Sequence, residues 1–358
     1  MLVDRLLACL LVDRIGGLTV PFDILAEFIP TKDRGRYLLL IEYYWTAGSM
    51  LVPIIAYYTI ELADSWRLFV AVCAIPCIIS LFAGMMYVPE SPRWLILKGR
   101  NEEALDILRK AALMNGKDPR ELFPQGCYIC NEEAEEGSSC MDLFQPKWKR
   151  ITLLLFVVWA GFALCYYGTI MTVTRIFNES NGDDDDDLGK ATFDYSAIFI
   201  SSSAEVIGTA IAIALVDRIG RIQTTVGAYV CGGVSLFALC FVADHSGRTE
   251  LVVLSFAARV CEMVGSCTLW IVTAEIFSTD IRSTGHSATN AVARLGGFCS
   301  PYLVGNTSFR AIAFVMLVAH LVVAFCASRL PETKGVELGR ANTREQEERY
   351  EPTCTELI

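Results

Sequence analysis

Residues 205–243 read EVIGTAIAIALVDRIGRIQTTVGAYVCGGVSLFALCFVA. Two apolar runs meet at Asp217-Arg218-Ile219-Gly220-Arg221, and each belongs to a segment, 193–216 or 224–243, close to the roughly 20 apolar residues that let a helix cross a bilayer. Gly220 permits a tight turn where the two helices approach, and the charges can pair with each other and with neighbouring helix ends. A plain basic loop is the simpler reading. The Asp-Arg-x-Gly-Arg spacing at a helix hairpin favours a gate made of Asp217, Arg218, Gly220 and Arg221.

Working outward, nine segments of this kind are found: 6–29, 37–60, 67–88, 151–177, 193–216, 224–243, 250–277, 286–305 and 311–329. The first is the weakest, interrupted by Asp13, Arg14, Asp23 and Glu27. Of the 358 residues, 53% are hydrophobic and only 20% charged, against about 25% charged in a soluble domain. The net charge of −10 argues against a nucleic-acid partner, which would need a basic surface. The excess acid is local: Asp183–Asp187, four glutamates within 132–136, and five more from Glu345 onward. Intrinsic disorder, a secreted disulfide scaffold and an ordinary soluble enzyme are excluded. Most of the 14 cysteines fall in apolar segments as small hydrophobes, and Cys127, Cys130 and Cys140 lack a fourth ligand for a structural zinc, so no metal and no cofactor is expected. The sequence predicts an all-α polytopic membrane protein whose partner is the lipid bilayer.

Lysine and arginine set the sidedness. The first connection holds Lys32, Arg34 and Arg36, the second has no basic residue, and the long third one, 89–150, holds ten. The alternation places the C-terminus in the cytoplasm and Asn178-Glu179-Ser180, a glycosylation sequon, outside. Four regions are expected: 1–88 with three helices, a cytoplasmic loop 89–150, a six-helix bundle 151–329, and a tail 330–358. Within the loop, Asn101–Gly116 reads as an amphipathic helix with Leu105, Leu108 and Leu113 on one stripe.

The chain also repeats itself. Ala26-Glu27-Phe28 followed by Arg34 recurs, 248 residues later, as Ala274-Glu275-Ile276 followed by Arg282. Pro89-Glu90-Ser91-Pro92-Arg93-Trp94 is mirrored by Pro331-Glu332-Thr333-Lys334-Gly335, 242 residues on. Helices one to three therefore correspond to helices seven to nine, and partners for four to six would fall before Met1. Parallel six-helix repeats are a transporter architecture. Glu27, Arg34, Glu90, Arg93, Glu275, Arg282 and Glu332 join the Asp217–Arg221 loop as candidates for a cytoplasmic gate.

On these residues the sequence resembles the major facilitator superfamily. The Asp-Arg-x-Gly-Arg loop, the paired Glu…Arg elements, PESPRW and PETKG carry the likeness, which implies helices four to twelve of a twelve-helix transporter. The central loop, with Met141-Asp142-Leu143-Phe144, looks like the synaptic-vesicle-related (SVOP-like) branch, neighbour to the organic-ion and sugar porters. The sequence departs at Val12-Asp13-Arg14-Ile15-Gly16-Gly17, where such proteins usually carry an uncharged, glycine-rich stretch.

Ionisable residues inside lipid spans are costly and therefore functional candidates. Glu42, Glu205, Arg259, Glu262 and Arg294 qualify, with Asp23 and His320 less central. Arg259 and Glu262, three apart, are expected to neutralise each other. Glu205 has no local basic partner and reads as a coupling carboxylate. Trp159, Tyr166 and Tyr167 are candidates to hold an organic cation by cation–π contact. The resulting expectation is a secondary transporter of a small organic solute, sugar-like or ionic, driven by a proton or ion gradient in the plasma membrane or a vesicle membrane. A non-transporting binding protein on a truncated scaffold is the alternative, and no constellation supports an enzyme.

Overall fold

The computed structural model describes residues 19–29, 34–124, 140–181, 195–243, 247–305, 307–336 and 338. Among them there is no strand. The first half comprises α1 (Thr19–Phe28), α2 (Arg34–Leu39), α3 (Glu42–Ala56) running into a π-helical turn at Tyr57–Leu62, and α4 (Trp66–Tyr87). Three shorter helices follow: α5 (Pro92–Leu97), α6 (Asn101–Met114) and α7 (Pro119–Leu122). After a 3-10 turn at Cys140–Phe144 come α8 (Lys149–Asn181), α9 (Tyr195–Val216), α10 (Arg221–Val242), α11 (Arg248–Ile276), α12 (Arg282–Gly305) and α13 (Phe309–Ala327).

Among the described residues, seven helical stretches are long and apolar enough to cross a membrane: Arg34–Leu62, Trp66–Tyr87, Lys149–Asn178, Ile198–Val216, Arg221–Val242, Arg248–Ile276 and Phe309–Ala327. Helix α12 is also long, with 24 residues, but Arg282, His286, Asn290 and Arg294 along it lower its hydropathy. Of the first expected span only α1 is described. The remainder of that span, Cys127 and Cys130, the Asp183–Asp187 run and the tail from residue 339 lie outside the described residues.

Helices α8 to α13 pack as one bundle, through α8 with α12, α10 with α11 and α13, and α9 with α11. Glycine makes the closest of these approaches. A Cβ on Gly296 of α12 would lie 1.9 Å from the Ala160 carbonyl oxygen of α8, so no larger residue fits there. The first half meets this bundle through α3 against α9 and α1 against α12. Ile75, Phe82 and Met85 of α4 are exposed, the apolar sheath expected of a helix facing lipid.

Two local expectations change. Leu105 of α6 is buried, but Leu113 is 62% exposed. Ala104, Leu105 and Ala112 make up the buried side; at about 100° per residue Leu105 lies on its edge, and a further rotation of about 80° carries Leu113 off it while Ala112 stays within it. Asn178 is half-buried inside α8, so its sequon begins on a helix rather than in a loop.

The Gly296 contact yields a test. Gly296→Ala should destabilise the detergent-solubilised protein by about 1–3 kcal/mol through overpacking. Gly227→Ala on α10, where a Cβ meets nothing within 4 Å, should be neutral or stabilising. Thermal melts of the two variants against the parent decide it, and equal melting temperatures would show that α8 and α12 are not in close contact.

Candidate functional site

The basic loops gather at one end of the molecule. There the expected pairs exchange partners. Arg282 Nη1 donates to Glu27 Oε1 at 3.0 Å, and Arg34 Nη1 lies 3.7 Å from Glu275 Oε1. Each pair thus joins the first half to the C-terminal bundle rather than bracketing its own helix end. All four side chains are buried, with Arg282 only 1% exposed. Ser91 Oγ donates to the second oxygen of Glu27, and Thr333 Oγ1 donates to Glu275 Oε2 at 2.6 Å. The two halves therefore build the same carboxylate–hydroxyl–guanidinium set from equivalent positions of the repeat.

The Asp217–Arg221 loop braces the second set. Arg221 Nε and Nη2 donate to the two oxygens of Glu275 at 3.1 and 3.3 Å, a fork matched to a carboxylate. Its Nη1 pairs with Asp217 Oδ1 at 3.0 Å, while Asp217 Oδ2 accepts the backbone N–H of Arg36 at 3.1 Å, tying the loop to α2. Gly220 sits at φ 115°, a conformation that favours glycine, and a Cβ there would lie 2.7 Å from Glu332 Oε2. Glu332 uses that space to cap α10, accepting the N–H groups of Arg221 at 2.9 Å and Ile222 at 3.0 Å. Arg218, Glu90 and Arg93 are exposed; Glu90 accepts only its neighbour's N–H, from Ser91 at 3.1 Å.

Toward the middle of the molecule lies a cavity of about 470 Å³ between the two halves. Its wall includes Glu42 and Trp45 of α3, Trp159 and Tyr166 of α8, Trp270 of α11 and Arg294 of α12. Tyr167 also lines it. Trp159 Nε1 donates to Thr273 Oγ1 at 3.0 Å, and its ring stands edge-on to Trp270, centroids 4.9 Å apart. Trp45 Nε1 donates to Tyr166 Oη at 3.0 Å, and Tyr166 Oη donates to Glu205 Oε1 at 2.6 Å. A hydrogen-bonded chain thus runs from the cavity wall to a fully buried carboxylate.

Two expected partnerships are corrected here. Glu205 has a basic partner, Arg259 Nη2, from the neighbouring helix α11. Arg259 and Glu262 consequently do not neutralise each other. Their three-residue step leaves them about 60° apart around α11, so Arg259 turns to α9 and Glu262 to His320 Nε2 on α13. His320 is fully buried, and its Nδ1 lies 2.7 Å from the Met316 carbonyl oxygen, which can only accept. With Nδ1–H so committed, Nε2 is the ring nitrogen that faces Glu262 Oε1. Trp45, Trp270 and Asn290 were missed by the sequence reading, since an aromatic or amide inside a span carries no signal of which way it faces. Among the described residues no three His, Cys, Asp or Glu side chains gather as metal ligands.

A family model described as "Sugar (and other) transporter" matches residues 17–344. The chain belongs to this family. It is 28% identical over 349 residues to the synaptic vesicle 2-related protein of Xenopus laevis, covering 92% of this chain and 62% of that protein. It is 29% identical to organic cation/carnitine transporter 7 of Arabidopsis thaliana, over 93% of this chain and 74% of that one. The major facilitator superfamily proton:xylose symporter XylE, solved with 6-bromo-6-deoxy-D-glucose, shares the fold with a TM-score of 0.61 at 21% identity, over 92% of this chain and 71% of that chain. The chain therefore spans about 62% of the length of curated relatives such as the Xenopus protein. Membership of this family, together with the apolar helices described above, makes the chain a multi-pass membrane protein of a transporter family.

The crossed pairs make a prediction about the basic end. Removing one partner of a buried ion pair costs about 3–5 kcal/mol, and a fraction of that shifts a two-state population more than tenfold. Arg282→Ala, Glu275→Gln and Asp217→Asn should each speed maleimide labelling of Ser278→Cys, a half-buried position between Glu275 and Arg282 in the chain. The exposed Arg218→Ala should not. Unchanged labelling in all three, with the protein folded, would remove the lock assignment.

Proposed function

We propose that this chain moves a small organic solute across a membrane by alternating access between its two helix groups. The observation that carries this reading is a single arrangement. A cavity of about 470 Å³ lies at the junction of the two halves, and the basic end of that junction is held by the crossed pairs Glu27–Arg282 and Arg34–Glu275. The cavity holds the solute, and the pairs break when the halves rock apart at that end. Family membership supports the same reading.

The lining favours an organic cation or a zwitterion. Trp45, Trp159, Trp270 and Tyr166 present π faces or edges, Glu42 supplies the negative charge, and Arg294 gives a counter-charge for a carboxylate on the solute. A sugar would use the same indole and hydroxyl groups by stacking and hydrogen bonding. The basic end faces the cytoplasm, as loop charge implies, so the loop 89–150 and the tail from residue 330 lie on that side of the four-region layout. Glu205, held by Arg259 and Tyr166, and the Glu262–His320 pair are candidate sites for a coupling ion within the C-terminal bundle.

Purified chain reconstituted into vesicles should take up a radiolabelled quaternary ammonium or carnitine-like probe faster than protein-free vesicles. Loss of a charge-assisted contact is worth about 1.5–3 kcal/mol, so Glu42→Gln should weaken half-saturation by roughly tenfold to a hundredfold while leaving folding intact. A probe that binds without flux would establish a binding protein instead. Flux insensitive to both Glu42→Gln and Trp159→Ala would place the solute elsewhere.

A further inference from the structure

One turn inward from the lock, the same two helices meet again. Asp23 lies four residues before Glu27 on α1, and His286 lies four after Arg282 on α12. Asp23 Oδ1 is 2.9 Å from His286 Nδ1. The two helices run antiparallel, so Glu27–Arg282 and Asp23–His286 are successive rungs of one ladder between the bundles. His286 is fully buried and Asp23 is 3% exposed. The imidazole is walled by aromatic rings: Trp270 at 4.9 Å between centroids, Trp159 at 5.7 Å and Phe22 at 6.2 Å.

Neither buried group is satisfied by this single contact. His286 Nε2 and Asp23 Oδ2 have no hydrogen-bond partner. With a neutral ring, Nδ1–H donates to the carboxylate and the Nε2 lone pair is left against indole, while the carboxylate lies within electrostatic reach of Arg282, itself committed to Glu27, and of Glu27, and has one direct donor. Both arrangements are costly in an apolar setting. A proton delivered to Nε2 converts the contact into an ion pair, with Nε2–H then set against the indole rings and Oδ2 still without a donor. The ring becomes a cation, Asp23 becomes its counter-ion across the bundle boundary, and the charge faces the π systems of Trp159 and Trp270. Imidazole is also the side chain whose charge changes most readily between pH 5 and 8.

We propose that Asp23 and His286 form a proton-binding site between the two bundles, whose occupancy holds the basic end shut. The inference rests on the alternating-access reading given above. Other charges on the packed elements are already engaged: Glu27 with Arg282 and Ser91, Glu275 with Arg221, Arg34 and Thr333, and Asp142 with Gln145. Asp23 is thus the carboxylate within hydrogen-bond reach of the ring. The state that binds a proton more tightly gains stability as pH falls. Only the closed state brings Asp23 to the ring, so the closed end is favoured at low pH and released as pH rises. Trp159 and Trp270 line the solute cavity on their other side, so a solute that shifts them changes the surroundings of the proton as well.

The test uses the full chain in lipid nanodiscs and exploits the presence of only three histidines, His245, His286 and His320. From pH 8 to 5, tryptophan emission should fall as the imidazolium forms beside Trp159 and Trp270. Labelling of Ser278→Cys, followed against the native-thiol background, should slow by about threefold or more. His286→Gln, or His286→Asn should the first not fold, should abolish both responses. Asp23→Asn should leave labelling fast at every pH. The proposal is overturned if folded His286 variants titrate like the parent, if His320→Gln removes the response instead, or if labelling accelerates as pH falls. Vesicles that show no solute flux while the pH response persists would sink the transport reading alone; flux with a flat pH response would sink the proton site alone.

Discussion

A guanidinium taken into an apolar bundle needs a carboxylate, and the placement of the helices follows from meeting that need three times. Arg34, Arg221 and Arg282 are each no more than 2% exposed. Desolvating such an ion costs several kcal/mol, recovered only when the partner is close and its remaining lone pairs are filled. Two carboxylates, Glu27 and Glu275, serve all three, and Ser91 and Thr333 fill the remaining acceptor positions. Because Glu27 takes its arginine from α12 and Glu275 takes one from α2, neither half can bury its charges alone. The halves must stand together at this end, or else water must enter.

The two members of the repeat solve this differently in detail. Glu332 accepts four backbone N–H groups, from Arg221, Ile222, Thr333 and Lys334, and thereby fixes the start of α10 against the end of α13. Glu90, its counterpart, accepts only from Ser91 and is exposed. Arg221 gives Glu275 a two-pronged contact in addition to Arg34, whereas Glu27 has one arginine and one serine. The charged cluster is therefore more densely bonded around Glu275 than around Glu27.

Most of the spans, and the charged residues that meet at the basic end, were legible in the sequence, because apolar length and a repeated Glu…Arg spacing are local properties. Pairing was not. Glu205 looked isolated because Arg259 lies 54 residues away, on a helix that only packing brings beside it. The same holds for Glu262 and His320, 58 residues apart. The three-residue spacing of Arg259 and Glu262 suggested a local pair, but each finds a partner on a different neighbouring helix, where a contact also neutralises a charge that would otherwise stand alone. His286 carried no signal by itself. Once Glu27 is known to meet Arg282 across antiparallel helices, though, the residues one turn further on, Asp23 and His286, must face each other too.

The same periodicity explains how the lock and the cavity are joined without any relay of small shifts. Arg282, His286, Asn290 and Arg294 recur every four residues along α12 and so wind slowly around one side of it, about 40° per step. The first closes the basic end, the second meets Asp23, and the last two line the cavity. Helix α12 packs on α8, with Gly296 against the Ala160 carbonyl, and so belongs to the C-terminal bundle. Any displacement of that bundle that opens the cavity toward the basic end must part α12 from α1. It then breaks the Glu27–Arg282 and Asp23–His286 contacts in the same step. On the alternating-access proposal, coupling between the charges at the end and a solute in the cavity would run through α12, which carries both sets of side chains.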